Sequence, residues 1–470
     1  MRTDCTSDQL EFQGLGKRRV VARFDAGRTS SDAGGLVLLR EVAEQMGWLR
    51  RFAGCFRDGR DAARSEHTVE ELVAQRVLGI ALGYEDLNDH EWLRDDALLA
   101  LAAGKTDLTG AQRARERDRG HALAGKSTLN RLELGRAEPS RYHRIEADEG
   151  AMERLLTDVG LEAEPEVPER VVLDFDTTDD PIHGHQEGRF FHGYYRGYCY
   201  LPLYVFWGDR LLAAKLRTAN QDASAGAVEE LSRIVGQIRA RWPGVEIWLR
   251  ADSGFAREAL MAWCEANGVE FVLGLARNAR LQRAIGGELH EAKARCEATG
   301  EAVRSFVELD YRTKKTWSRS RRVVAKAEAL PGKANPRFVV TSLAAERYDA
   351  KTLYETLYCA RGDMENRIKE QQLDLFADRT SSATMRANQL RLWFASLAYA
   401  LIAQLRRRGL CGTELARAQA GTIRLRLFKI AALVRLSVRR IAISFSSVYP
   451  FQALFAQVLA NLRTPAPSTG

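Results

Sequence analysis

The sequence has no long apolar segment, no basic and then apolar stretch among its first residues and no closely spaced pair of cysteines. Its longest apolar stretch, 392–405, is interrupted and falls short of the run of about 18 apolar residues that a membrane-spanning helix needs. The first residues, MRTDCTSDQLEF, hold no basic segment followed by an apolar one, so we expect no signal peptide. The seven cysteines are scattered and never form Cys-x-x-Cys, which argues against a disulfide framework and a zinc finger. We therefore expect a soluble cytoplasmic protein with no membrane partner.

The composition and charge are those of a basic globular protein. Hydrophobic residues make up 45% of the 470 residues and charged residues 28%, which is ordinary for a folded chain. This length predicts roughly three structural units of about 150 residues each. The net charge of +8 and the pI near 9.1 suit a polyanionic partner such as nucleic acid.

The chain changes character along its length, and the changes predict five regions. Thr68-Val-Glu-Glu71 is a capping box that opens a helix in a helical N-terminal region. From Arg170 onward, short apolar runs and helical patterns follow the order βββαβαβ, which predicts a mixed α/β sheet opened by three consecutive strands. The predicted regions are a helical N-terminal region (1–160), the first part of an α/β domain (165–280), a β-rich insertion (281–345), the second part of the α/β domain (346–405) and a basic helical C-terminal region (406–470).

Two carboxylates are predicted to lie at the ends of strands of this sheet. Asp176 comes directly after the apolar run 171–175, and Asp252 comes directly after the strand predicted at 246–251. Ligand sites in α/β sheets gather at the carboxyl ends of strands, so both aspartates are candidate site residues. Asp174 lies on the same face as Asp176 because strand side chains alternate, and it remains an alternative. Taken alone, Asp252-Ser-Gly is more often a helix cap or a turn.

A third carboxylate stands on a predicted helix from Tyr358 to Leu375. Arg361, Glu365 and Lys369 are spaced four residues apart, so they line one face of that helix. The more frequent meaning of such spacing is a solvated ladder of alternating charges, and the helix by itself does not distinguish that from a catalytic glutamate.

Several motifs in a fixed order resemble those of the DDE transposases of bacterial insertion sequences, most nearly the insertion-sequence 1380 family. They are Leu-Asp-Phe-Asp176-Thr-Thr-Asp-Asp-Pro with His183-Gly-His, Tyr-Cys-Tyr-Leu-Pro at 198–202, Ala-Asp252-Ser-Gly-Phe, Tyr358-Cys-Ala-Arg361-Gly-Asp-Met-Glu365-Asn-Arg-Ile-Lys369-Glu, Asp378-Arg-Thr-Ser and Asn388-Gln-Leu-Arg391. The clan's pattern is Tyr, two residues, Arg, three residues, Glu, six residues, Lys. The chain has Gln372 at the last position, and Lys369 is the candidate for the missing cation.

The resemblance implies a fold, a site and an activity. It implies a ribonuclease-H-like catalytic core with a β-rich insertion, flanked by helical N- and C-terminal regions. Asp176, Asp252 and Glu365 would hold two Mg²⁺ or Mn²⁺ ions and catalyse DNA cleavage at element ends and strand transfer into target DNA. Arg361 would contact phosphate, and Tyr358 would orient Glu365 or DNA. The chain would work at the nucleoid of a bacterial cell, where its DNA partners are terminal inverted repeats and target DNA, as a homodimer in the DNA complex. A ribonuclease-H-like nuclease and a catalytically inactive DNA-binding relative are the alternatives.

Two basic segments are predicted to bind DNA. The insertion carries Arg312, Lys314, Lys315, Trp317, Arg319, Arg321 and Arg322. Basic groups on a β-ribbon suit phosphate contacts, and Trp317 could either stack on an unpaired base or pack inside the β-region. From 406 to 440 there are ten basic residues, among them Arg406, Arg407, Arg408, Arg439 and Arg440, against Glu414 alone. Apolar residues interleave with these, which predicts an amphipathic helix with a cationic face.

Three further motifs receive weaker interpretations. The segment 120–127 matches the phosphate-binding loop pattern Gly-x-x-x-x-Gly-Lys-Ser, but a charged run precedes it where a buried strand is required, so we expect no nucleotide cofactor. The helix predicted at 128–134, with Asn130 and Arg131, either reads DNA bases or lies on the surface. His183, His185 and His192 are expected to line the rim of the site or contact DNA.

Overall fold

The structure is a computed structural model that describes residues 9–12, 20–23, 30–134, 140 and 142–464. Within these residues no helix is both long enough and apolar enough to cross a membrane. Residues 9–12 and 20–23 pair as a small antiparallel sheet. The remaining strands and helices form a large central sheet, a helical N-terminal region and a mixed C-terminal region.

Five strands form the core of a nine-stranded central sheet. In chain order these core strands are Arg170–Thr177, Leu203–Trp207, Arg210–Lys215, Glu246–Ala251 and Glu270–Leu275. In the sheet they lie in the order third, second, first, fourth, fifth. The first, fourth and fifth core strands are parallel, whereas the second is antiparallel to both the first and the third. This is the order of a ribonuclease-H-like core, and it confirms the fold class and the predicted succession βββαβαβ.

Alternating burial explains why the first core strand forms at the centre of the sheet. Val171, Leu173 and Phe175 are fully buried on one face, under the helices Ala227–Arg241 and Glu258–Ala266. Asp174 and Asp176 point to the opposite face because side chains alternate along a strand. The sequence therefore places carboxylates on the face that these two helices leave open.

The predicted β-rich insertion extends the central sheet. Its strands are Val303–Tyr311, Arg321–Leu330, Lys333–Ala334 and Arg337–Thr341. Arg337–Thr341 pairs antiparallel with the fifth core strand, and Arg321–Leu330 and Val303–Tyr311 follow outward. The helices Ala279–Ala284 and Gly286–Thr299 lead into these strands. The insertion thus adds strands directly to the edge of the core.

Helices of the N-terminal region pack on the long helix Met385–Arg408 in one hydrophobic core. The predicted capping box is confirmed, with Thr68 and Glu71 each bonding the other's backbone at the start of Val69–Ala81. The other helices are Leu36–Met46, Trp48–Ala53, His90–Leu93, Ala97–Ala102, Lys126–Glu133 and Glu149–Glu162, with short strands Ser30–Ser31, Phe56–Asp58 and Ile145–Ala147 and 3-10 turns Ala62–Arg64, Leu87–Asp89 and Glu116–Asp118.

The predicted amphipathic helix at 406–440 is wrong. After Arg408 the chain forms a short helix (Ala420–Ile423), a π-helical turn (Arg424–Phe428) and a hairpin of the strands Ala432–Leu436 and Ile441–Phe445, before the helix Gln452–Arg463. In the first hairpin strand, buried Ala432 and Val434 alternate with exposed Leu433 and Arg435. Alternation with a period of two is typical of a half-buried strand. Over a segment of five residues, the spacing of apolar residues alone does not distinguish such a strand from one face of an amphipathic helix.

Candidate active site

The ends of two adjacent core strands bring two aspartates to the same edge of the sheet. Asp176 is near the end of the first core strand, and Asp252 directly follows the fourth, which runs parallel beside it. Asp252 also caps the 3-10 turn Ser253–Phe255, where its Oδ1 accepts a hydrogen bond of 2.8 Å from the Gly254 amide. Capping fixes the backbone of Asp252 and leaves its other carboxylate oxygen for a further partner.

An irregular helical segment supplies the third carboxylate. It runs as a π-helical turn (Leu353–Tyr358), a 3-10 turn (Cys359–Arg361) and an α-helix (Gly362–Leu375) that carries Glu365 in its first turn. The continuous helix predicted from Tyr358 is therefore broken at its start. Leu353 packs on the sheet face opposite the two core helices. Such π-helical insertions occur often at functional sites because they re-aim neighbouring side chains.

The guanidinium of Arg361 links two of the carboxylates. One of its nitrogens lies 3.0 Å from Oδ2 of Asp176, and the other lies 2.8 Å from Oε1 of Glu365. The charge of Arg361 also acts on the hydroxyl of Tyr358. The sequence-predicted residues Asp176, Glu365, Arg361 and Tyr358 therefore meet at one place in the fold.

The three carboxylates interact electrostatically, and Asp176, Asp252 and Glu365 are together termed the acidic cluster. Burial raises the pKa of Asp176 to about 6; Arg361 opposes this shift, and the nearby charges of Asp252 and Glu365 add to it. Burial also raises the pKa of Tyr358, with a further contribution from Asp252. Close carboxylates disfavour each other's ionisation, so the cluster is an incomplete charge arrangement that additional positive charge would stabilise.

The donor set fits a hard divalent cation. In the parts of the chain that the structure describes, no three acid, histidine or cysteine side chains lie close enough to hold a metal ion together, and Arg361 bridges Asp176 and Glu365 instead. Carboxylate oxygens are the ligands that Mg²⁺ and Mn²⁺ prefer, and one guanidinium does not balance the charge of three carboxylates. Asp176, Asp252 and Glu365 are the residues that would hold such an ion.

A basic cavity of about 420 Å³ adjoins these carboxylates and was not predicted from the sequence. Ser253 and Tyr358 form the side of the cavity that faces the acidic cluster. The exposed side chains of Arg277, Lys333 and Arg337 are the charged residues of its wall. Arg277 lies just beyond the fifth core strand, a position that could have been found by the same strand-end argument as Asp252. The two others come from the strands of the insertion, so only the sheet order reveals their proximity.

Gly274 on the fifth core strand is a second residue that the sequence analysis missed. A Cβ atom at Gly274 would lie 2.5 Å from the Tyr358 hydroxyl and 2.9 Å from the Ser253 amide nitrogen. Any side chain there would displace Tyr358 from the site. The close approach of three chain segments explains the glycine, and no local pattern announces it.

Asp174, the alternative to Asp176, belongs to a structural ion pair. Its two oxygens accept hydrogen bonds of 2.5 and 2.8 Å from Arg250 of the fourth core strand, and Arg250 also donates to the Leu357 carbonyl. Gln372, at the position where the resembled pattern has lysine, donates to Oδ1 of the fully buried Asp180 at 3.0 Å. Lys369 is exposed one helical turn after Glu365.

Several residues predicted to bind DNA are engaged inside the protein. Trp317 is buried with its ring 5.7 Å from that of Tyr311, so it packs inside the β-region and cannot stack on a base. Buried Arg321 pairs with Glu258 and Glu265. The other engaged arginines are Arg322 on Glu308, Arg406 on Glu370 and Arg407 on Asp209, while Arg312 donates to the Trp317 carbonyl and Arg408 approaches the sulfur of Met46. The exposed members of the predicted set are Arg312, Lys314, Lys315, Arg319, Arg439 and Arg440.

The strand order and the acids at the ends of two adjoining strands place the chain in the ribonuclease-H-like class. The model of the family "Transposase DDE domain group 1" matches residues 12–467, and the chain belongs to this transposase family. The chain is also similar to a solved piggyBac transposase in a synaptic complex with hairpin DNA, at 12% identity and a TM-score of 0.40, over 93% of this chain and 83% of that one. That likeness is too distant to carry an argument. No match is found among curated proteins.

Proposed function

We propose that this chain cleaves DNA at the ends of a mobile element and joins the exposed 3′-OH ends to target DNA. The observation that carries the proposal is that Arg361 bridges Asp176 and Glu365 while the charge of Asp252 acts on Asp176. Family membership supports transposition as the biological role. The acidic cluster supports phosphodiester chemistry as the means.

Each residue of the site has a proposed role. Asp176, Asp252 and Glu365 would hold two Mg²⁺ or Mn²⁺ ions, which when bound supply an activated water or 3′-OH and stabilise the leaving oxygen. Arg361 contacts the scissile phosphate, because a guanidinium matches phosphate geometry. Tyr358 helps to position Arg361, whose charge acts on its hydroxyl. The basic cavity beside Asp252 receives the phosphates of the neighbouring nucleotides.

We also propose that the N-terminal region (1–160) binds the element ends. A cavity of about 690 Å³ is lined there by seven arginines and three carboxylates. Burial, with a further contribution from the charges of Lys105, Arg113 and Arg60, lowers the pKa of His67 in this wall to about 3. Ser127, Thr128 and Arg131 of the helix Lys126–Glu133 line the cavity too, which supports this helix as the one that approaches DNA. The arginines are Arg60, Arg64, Arg94, Arg113, Arg115, Arg117 and Arg131.

The segment that matches a phosphate-binding loop ends at this same cavity. It is preceded by the 3-10 turn Glu116–Asp118, whereas a nucleotide-binding loop of that kind follows a buried strand. A nucleotide is therefore not part of the proposal. Because two element ends must be processed together, we propose a homodimer in the DNA complex.

The decisive experiment is cleavage of a supercoiled plasmid that carries both element ends, with Mg²⁺ present. Wild type should nick and linearise it, whereas Asp176→Asn, Asp252→Asn and Glu365→Gln should each leave it intact. Asp363→Asn is the matched control, since Asp363 is an exposed acid two residues before Glu365. Equal cutting by Asp176→Asn would overturn the site.

A strand-transfer assay separates the proposed function from its alternatives. A transposase joins the cut ends to a second plasmid, whereas a ribonuclease-H-like nuclease gives cut ends without joint molecules. An inactive DNA-binding relative retards element-end DNA in a gel and cuts nothing.

A further inference from the structure

A hairpin rich in aromatic residues stands between the first and second core strands. The chain leaves the first core strand at Thr177 and forms a small three-stranded sheet in which Gly197–Tyr200 pairs with both Asp180–Pro181 and Phe190–His192. Residues 189–198, with the sequence RFFHGYYRGY, are termed the aromatic hairpin. Because Asp180 is four residues after Asp176, this sheet anchors the aromatic hairpin beside the acidic cluster.

The rings of the aromatic hairpin are exposed to an unusual degree. Tyr194 is 83% exposed, Phe191 58%, Tyr198 46% and Phe190 41%. Folding does not require these rings, since they contribute little to any hydrophobic core and a contiguous exposed apolar patch usually marks a binding surface. Phe191 and Tyr198 contact each other edge to face at 5.7 Å, as do Tyr194 and Tyr195 at 5.0 Å, so the rings form a group.

The tip of the aromatic hairpin has one usual turn residue among four. Between the two strands stand Gly193, Tyr194, Tyr195 and Arg196, and only Gly193 is of a type common in turns. Arg196 has a φ of 55°, in the left-handed region that a side chain of this kind seldom adopts. Two tyrosines and a strained arginine at a tip are costly for folding, which indicates that the tip serves a partner.

Charge identifies the partner as a nucleic acid. No aspartate or glutamate occurs in residues 188–208, and Arg189 lies over the Tyr198 ring at 4.5 Å. Arg196 is exposed at the tip between the rings. Aromatic faces interleaved with arginines suit a DNA strand, because bases stack on the rings while the phosphates meet the guanidinium groups.

The position of Tyr195 ties the aromatic hairpin to the reaction. Burial raises the pKa of Tyr195 to about 12, with further contributions from the carboxylates of Asp179 and Asp176. The rings thus begin within electrostatic reach of Asp176 and continue outward to Tyr194. A DNA strand whose phosphate reaches the acidic cluster would pass over them.

We propose that the exposed rings of the aromatic hairpin stack on unpaired bases of the DNA strand next to the scissile phosphate. The proposal rests on the proposed function, since it names the part of the DNA that this site holds. It also assigns to Phe191 and Tyr194 the stacking role that the buried Trp317 does not fill.

The test measures binding of DNA by proteins that carry Asp176→Asn, without added metal, so that no cutting occurs. Fluorescence anisotropy compares a blunt duplex with the same duplex carrying a short single-stranded overhang. The parent should prefer the overhang. Phe191→Ala with Tyr194→Ala should weaken overhang binding about tenfold or more, at about 1–3 kcal/mol per stacked base, and leave blunt-duplex binding unchanged. Phe191→Tyr with Tyr194→Phe should retain the preference.

The controls make the outcomes unambiguous. Val448→Ala removes an exposed apolar side chain elsewhere and should change neither affinity. Melting temperatures should stay close to that of the parent because the replaced rings are exposed. The proposal is overturned if Phe191→Ala with Tyr194→Ala binds both the overhang and the blunt duplex as tightly as the parent does. It is also overturned if this variant keeps the preference for the overhang but no longer dimerises, because the aromatic hairpin would then be a protein interface. Failure of the proposed function would appear instead as cutting by Asp176→Asn, which this binding assay does not measure.

Discussion

Arg361 donates a hydrogen bond of 3.0 Å to Asp176, a residue 185 positions earlier in the chain. The bond joins the irregular helical segment to the first core strand, and the same guanidinium also holds Glu365. In the structure Arg361 is therefore the cation that stabilises the acidic cluster. A bound metal ion and Arg361 would supply positive charge to the same carboxylates.

Replacing Arg361 should make the stability of the protein depend on metal. In Arg361→Gln the buried carboxylate of Asp176 loses its charged partner, which costs about 1.5–3 kcal/mol. We expect a lower melting temperature than wild type in EDTA and a larger rise on addition of Mg²⁺. Arg361→Lys, which keeps the charge, should lie between the two proteins. An Mg²⁺-induced rise equal to that of wild type would contradict the shared role.

The two aspartates of the first core strand should respond differently to neutralisation. Asp174→Asn leaves the half-buried Arg250 without the buried carboxylate that it pairs with, and breaking such a pair costs about 3–5 kcal/mol. Asp176→Asn removes one of three clustered negative charges, so its free energy of unfolding should stay close to that of wild type while plasmid cutting is lost. Urea unfolding of both variants measures the difference. The reverse order of stabilities would restore Asp174 as the catalytic candidate.

The core sheet could be predicted because local and global signals agree there. Glu246–Ala251 has the bounds that its apolar run predicts. The sequence predicts Asp176 and Asp252 each at the end of a strand, and the parallel pairing of those two strands brings the aspartates to one edge. The prediction of Glu365 as a site residue depended on the family resemblance, because the charged residues of its helix are spaced as on an ordinary solvent-exposed helix.

Partners from distant parts of the chain could not be predicted. Arg321 and Arg406 were read as DNA contacts because they stand in basic runs, yet their acids, Glu258 and Glu370, lie 63 and 36 residues away. Trp317 is buried in the hydrophobic core beneath the helix Glu258–Ala266, more than 50 residues earlier in the chain. Composition records that a cation is present but not whether the fold has already neutralised it.

Trp317 should be important for stability and unimportant for DNA binding. Its ring packs on Tyr311 and lies under the guanidinium of Arg321 at 5.5 Å. Trp317→Ala should lower the free energy of unfolding by about 3–5 kcal/mol, and Trp317→Phe should lower it less. At a temperature where all three proteins are folded, their affinities for element-end DNA should be equal. Weaker binding by a fully folded Trp317→Phe would contradict the packed role.

Arginines of the C-terminal region should separate into two groups. Arg439 and Arg440 are exposed in the hairpin turn between the strands Ala432–Leu436 and Ile441–Phe445. Arg406 is instead buried and pairs with Glu370. If the hairpin turn contacts DNA, Arg439→Ser with Arg440→Ser should reduce the slope of log affinity against log salt by about 2, since each phosphate contact contributes about 0.9. Arg406→Gln should leave that slope unchanged and lower the melting temperature. An unchanged slope in the double variant would remove the hairpin turn from the DNA-binding surface.

Buried neutral histidines should make the protein less stable in acid. Burial and three nearby cations lower the pKa of His67 from 6.5 to about 3, and the unfolded chain binds a proton at His67 below about pH 6.5. The unfolded state therefore holds more protons between about pH 6.5 and 3, and stability falls as pH falls through that window, by about 2 kcal/mol for this residue at pH 5.

His67→Gln should have a flatter dependence of unfolding free energy on pH by that amount, whatever its stability at neutral pH. His290→Gln, which replaces an exposed histidine, is the matched control and should keep the wild-type dependence. Urea titrations at pH 7 and pH 5 measure the unfolding free energy of each protein. Equal pH dependence of that free energy in His67→Gln and wild type would show that burial and the nearby cations do not keep His67 neutral.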